Sequence, residues 1–65
     1  MAEVEDIRNR LETIAEELGD LALDALRHAV EAGQKKSETE RRLTRARNAV
    51  QKAGHLLDDR APADD

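Results

Sequence analysis

Apolar residues step along the first half of the chain in alternating threes and fours. They are Val4, Ile7, Leu11, Ile14, Leu18, Leu21 and Ala25, continued by His28 and Ala32. Only an α-helix gathers positions so spaced onto one stripe, and a stripe of about four heptads needs a partner to cover it. The pattern predicts a helix over residues 2–32. Glu3, Glu5 and Asp6 stand in its first turns, at the positive end of the helix dipole. Gly33 follows the last periodic position and suits a left-handed C′ cap.

Residues 33–37 read as the turn. Ser37, Glu38, Thr39 and Glu40 match a capping box, with Ser37 as N-cap and Glu40 three positions on. A second helix is predicted over 38–59. Its seam is Thr39, Leu43, Ala46, Val50, Ala53 and Leu57, again in fours and threes. Residues 1–60 therefore form one helical hairpin. Residues 61–65 contain Pro62, end in Asp64 and Asp65, and read as a disordered acidic tail.

The short connection at 33–36 makes the helices antiparallel neighbours, so the expected fold is all-α, a coiled-coil-like two-helix hairpin. The helices differ in length, about 46 Å against about 33 Å at 1.5 Å per residue. Pairing outward from the turn sets Leu57 near Ile14 and leaves Val4, Ile7 and Leu11 beyond the second helix. Further apolar positions flank both seams. Ala15, Ala22 and Ala29 lie beside the first, with Leu23, Leu26 and Val30 further round; Ala49 and Leu56 lie beside the second. Residues 21–30 are thus apolar round most of the helix, which calls for cover from more than one side. Dimerisation into a four-helix bundle would provide it. The expected oligomer or partner interface is Val4, Ile7, Leu11, Leu23, Leu26, Val30 and Leu56. Gly19 is the weak point. The heptad runs through it in register, which favours a single helix; a break with Asp20 capping a third helix, or a kink, is the alternative.

Composition narrows the function classes. The 65 residues are 40% charged and 38% hydrophobic, a mix that suits an amphipathic bundle better than a thick core. Phe, Trp and Tyr are absent, and with them aromatic cages and base-stacking platforms. Cysteine is absent too, so no disulfide or thiolate zinc site can staple the chain, and self-association is the expected source of stability. Neither a signal peptide nor a membrane span is visible, and a cytoplasmic protein is expected.

The net charge of −4 is unevenly placed. Residues 1–34 carry nine acids against three bases, and residues 35–52 carry seven bases against two acids. Mutual neutralisation between the helices, with Arg42 facing Asp24 and Glu31, is the simplest reading. Local pairs Asp6–Arg10, Glu38–Arg42 and Arg27–Glu31 would absorb more charge. The competing reading is an anion or nucleic-acid patch at Arg41, Arg45, Arg47 and Lys52.

No catalytic set is evident. His28 and His55 do not converge in one hairpin, and His28 reads as a polar seam layer that fixes register. The row Glu12, Glu16, Asp20 and Asp24 lacks histidine partners and reads as a solvated face. Ser37 has a capping role and no adjacent base. No phosphate loop, cofactor motif or metal-ligand spacing is present, so an enzyme is not expected. The turn, Ala32-Gly33-Gln34, lacks the Trp of secreted WxG-type hairpins. In length and plan the chain is similar to the plasmid-encoded RNA-binding hairpin that dimerises into a four-helix bundle, a likeness of architecture alone. The expected function is a non-enzymatic interaction or regulatory module acting as a homodimer, with another helical protein as a further partner. A nucleic-acid-binding regulator is the alternative, and a segment ordered only by a different protein is the third reading.

Overall fold

Helix α1 spans Ala2–Glu31 and helix α2 spans Glu38–Leu56. The computed structural model describes residues 2–58, and within them the two helices pack against each other with no strand. α2 stops at Leu56 rather than 59; Asp59 and the acidic tail at 61–65 lie outside the described residues.

The boundaries follow from backbone chemistry. Gly33 takes φ 79°, a left-handed conformation that costs a side-chain-bearing residue energy. Its N–H donates to the Val30 carbonyl at 2.9 Å, and the Gln34 N–H donates to the Ala29 carbonyl at 2.8 Å. These two bonds make a Schellman cap, so α1 ends one residue before the expected Ala32. Ser37 is buried and extended (φ −126°, ψ 114°), and its Oγ accepts from the Glu40 N–H at 3.0 Å. The capping box is only half made. Glu40 Oε2 instead accepts from the Thr44 hydroxyl at 2.9 Å, one turn further along.

α1 passes through Gly19 without a break, so the third-helix reading is not adopted. The Arg47 side chain crosses this spot: a Cβ at Gly19 would meet Arg47 Cδ at 3.5 Å, ordinary van der Waals contact. Space therefore exists for alanine, and glycine costs a helix interior up to about 1 kcal/mol relative to alanine. Gly19→Ala should raise the urea midpoint by the equivalent of roughly 0.5–1 kcal/mol. A lowered midpoint would mean that alanine disturbs the packing of Arg47 over this position.

The antiparallel register is fixed at three levels. Arg8 pairs with Asp58 at 3.3 Å near one end. Gly19 lies under Arg47 in the middle, and Ala29 shares a depression with Ser37 at the turn. The expectation that Leu57 would sit near Ile14 is corrected by this register. Residues up to Ser37 run down beside the last turns of α1 in non-helical backbone, which covers more length per residue than helix does. α2 thus starts lower and its end reaches Arg8. Leu11 is consequently half-buried beside Val50 and Gly54 rather than left bare.

The line of contact also differs from the apolar stripe. The buried apolar side chains among the described residues are Ala15, Ala22 and Ala29, at 4–6% exposure. Val4, Arg8, Leu11, Leu18 and Ala25 are half-buried beside them. On α2 and its C-cap the half-buried set is Leu43, Arg47, Val50, Gly54 and Leu57, with Glu40, Thr44 and Ala53 at its margins. Both helices are turned by roughly 40° from the expected seam, given 3.6 residues per turn. Alanine and glycine at the contact allow the two backbones to approach closely, which large side chains would prevent. Ile7, Ile14 and Leu21 are rotated outward as a result.

Ion pairing is mostly local. Arg10 pairs with Asp6 at 3.6 Å as expected, while Arg27 pairs with Asp24 at 3.7 Å rather than with Glu31. Arg42 makes no ion pair among the described residues, so the expected bridges to Glu38, Asp24 and Glu31 are not formed.

Candidate interaction surface

A helix whose contact line is built from alanine must show its larger aliphatic side chains elsewhere. Ile7, Ile14 and Leu21 follow one another at heptad spacing, exposed at 44, 42 and 52%. Beside them on α2 run Thr39, Ala46 and Ala53, also at heptad spacing. The antiparallel register sets Ile14 level with Ala53, Leu21 with Ala46, and His28 with Thr39. One depression lined by Leu21, Ala25, His28, Thr39 and Leu43 puts Leu21, His28 and Thr39 on one face near the turn, and the helical repeat carries both rows on from there. The Ile14, Leu21 and His28 levels of this face therefore carry a large or ring side chain on α1 and a small one on α2.

His28 lies in this face as its last level. It is exposed, and its Nδ1 donates to the Asp24 carbonyl at 2.8 Å, which holds the ring along its own helix. The other side of the hairpin is more polar. Its groove is lined by Arg8, Asn9, Glu12, Gln51, His55 and Asp58 over a floor of Leu11, Ala15, Val50 and Gly54. A second aliphatic patch, Leu23, Leu26 and Val30 with Arg27 and Glu31 at its edge, sits near the turn on this other flank of α1.

The expected interface residues are thus distributed over several surfaces. Val4 and Leu11 belong to the half-buried contact line. Ile7 lies on the face just described, and Leu23, Leu26 and Val30 on the opposite flank. Leu56, at 77% exposure, points away from α1. Sequence reasoning placed Ile14 and Leu21 inside the hairpin, where they are not. The signal that could have found them is the seven-residue repeat Ala15, Ala22, Ala29, a run of small residues that marks close helix approach.

The basic residues separate as well. Arg41, Arg45 and Lys52 are exposed on the side of α2 away from the face. Arg47 is half-buried over Gly19, with its Nε buried and without a partner and one Nη donating to Asn48 at 3.2 Å. The acidic row Glu12, Glu16, Asp20 and Asp24 is exposed throughout. Among the described residues no group of three or more histidines or carboxylates could hold a metal ion, and no helix is long and apolar enough to cross a membrane. Comparison with known protein families, with characterised proteins and with solved structures finds no match for this chain.

Proposed function

We propose that this protein is a non-enzymatic helical interaction or regulatory module that works as a homo-oligomer, in its simplest form a dimer of hairpins packed as a four-helix bundle. The carrying observation is the contrast between what the hairpin hides and what it shows. Its buried apolar residues are three alanines, with no large side chain fully buried among the described residues, while Ile7, Ile14 and Leu21 stand exposed in one line. Burying the exposed half of each such side chain is worth roughly 0.8–1.5 kcal/mol. The row is doubled in a dimer, so association supplies the large-residue core that one copy lacks. A second helical partner would use the same face.

Sedimentation equilibrium at micromolar concentration tests this reading. The expected result is twice the chain mass. A folded monomer at that concentration would defeat it.

A nucleic-acid-binding role is the second reading, supported by the exposed Arg41, Arg45 and Lys52. It ranks lower because Arg47 is committed to the helix contact, the chain is acidic overall, and no aromatic side chain is available for base stacking.

A further inference from the structure

The paired rows of the exposed face do more than invite a second copy; they select how it sits. Two hairpins can join these faces about a two-fold axis in two ways. With the axis along the helices, α1 of one copy lies on α2 of the other. With the axis across the helices, α1 lies on α1 and α2 on α2.

The geometry points to the first arrangement, a dimer in which α1 packs on the partner's α2. This inference rests on the homo-oligomer reading and adds its architecture. Two independent features of the chain support it. One is size. With the axis along the helices every level keeps its height. The Ile14 of each copy then meets the other's Ala53, and Leu21 meets the other's Ala46. Each level of the four-helix core holds two large and two small side chains placed diagonally, which fills the space evenly. The crossed arrangement stacks Ile14 on Leu21 and Ala46 on Ala53, so one side is overfull and the other hollow. Both faults are destabilising.

The second feature is charge. The segment through residue 34 carries nine acids against three bases, and residues 35–52 carry seven bases against two acids. Arg41, Arg45 and Lys52 lie on the far side of α2, so the base that packing α1 on α2 of the other copy brings to the acidic helix along each edge is Arg42. Asp24 and Arg42 lie at the outer edges of the face and at matching heights. Arg42 has no ion-pair partner among the described residues of its own chain. Across the dimer each Arg42 reaches the height of the other copy's Asp24. The crossed arrangement instead brings Glu17 of the two copies towards each other and sets acidic helix on acidic helix, an opposition that complementary interfaces avoid.

The chain has no cysteine, so single thiols report contacts without background. Leu21→Cys protein is mixed with Ala46→Cys protein under mild oxidation, and in parallel with Ile14→Cys protein. The expected result is a disulfide-linked dimer in the Leu21→Cys with Ala46→Cys mixture, at least tenfold more abundant than in the other. The reverse preference, or a species of dimer mass that yields the linked band in neither mixture, overturns the arrangement and leaves the homo-oligomer reading standing. Monomer mass in sedimentation with no linked band removes both. A charge exchange gives a check free of changes at the apolar levels. Arg42→Glu should weaken dimerisation about threefold to tenfold, and adding Asp24→Arg to the same chain should restore it. Failure of that restoration also counts against the arrangement.

Discussion

Leu21→Asp abolishes association and, with it, the stability that the hairpin draws from a second copy. Leu21 is half exposed in the single hairpin, so the hairpin itself loses little when it is replaced. Each dimer carries two copies, and each loses the burial of the exposed half of the side chain, roughly 0.8–1.5 kcal/mol. The introduced carboxylates must also face an apolar layer, a further cost. Together these weaken the dimer about a hundredfold or more, since each 1.4 kcal/mol is a factor of ten. Sedimentation of the variant should show monomer mass at concentrations where the parent chain is dimeric, and its melting curve should broaden and shift down. Leu18→Asp provides the contrast. Leu18 is half-buried along the helix contact, so a charge there acts on the hairpin as well as on the dimer. If the Leu21 variant kept the parent's mass and melting temperature, the face carrying Ile7, Ile14 and Leu21 would have no role in association.

Ala22→Leu is the second large effect, and it arises on the other side of the helix. Ala22 is 6% exposed and sits at the middle of the contact between α1 and α2. Three extra carbons per chain cannot fit there without forcing the helices apart or pushing side chains off their rotamers, which costs about 1–3 kcal/mol. The displacement also separates Arg47 from Gly19 and disturbs the levels of the outer face. The urea midpoint should fall by the corresponding amount at an unchanged slope. This outcome separates the observed contact from the stripe read off the sequence, because a helix packed along Ile14 and Leu21 would leave residue 22 at its margin and tolerate leucine. A midpoint that stays put or rises would restore the stripe as the contact line.

The sequence carried much of the architecture because helix ends are local chemistry. Gly33 and Ser37 announce their roles through backbone conformation and a side-chain oxygen, both within a few residues of the boundary. The two helices and their connection were legible for that reason. The helical phase of the contact was harder to read. Val4, Leu11 and Leu18 belong to both candidate lines, and the choice lies between Ile7, Ile14, Leu21 and Arg8, Ala15, Ala22 as their companions. Ranking by hydrophobicity selects the isoleucines. The requirement that two backbones come close selects the alanines, and it also explains Gly19 and Gly54 at the contact. Register is hidden for a related reason: the length of helix covered by the connection depends on how extended its residues are, and composition does not specify that. The candidate surface was therefore only partly visible. Its need is evident from the surplus of aliphatic positions, but the heptad pattern alone places Ile14 and Leu21, its central members, in the interior.

The most direct test is the thermal melt of the unaltered chain, followed by circular dichroism over a roughly thousandfold range of concentration. A fold that exists by joining two copies gains about 4 kcal/mol across that range by mass action, so its melting temperature must climb steadily with concentration. A sharp melt at one fixed temperature throughout would show that a single copy is self-sufficient, and would contradict the claim that Ile7, Ile14 and Leu21 are the missing half of the core.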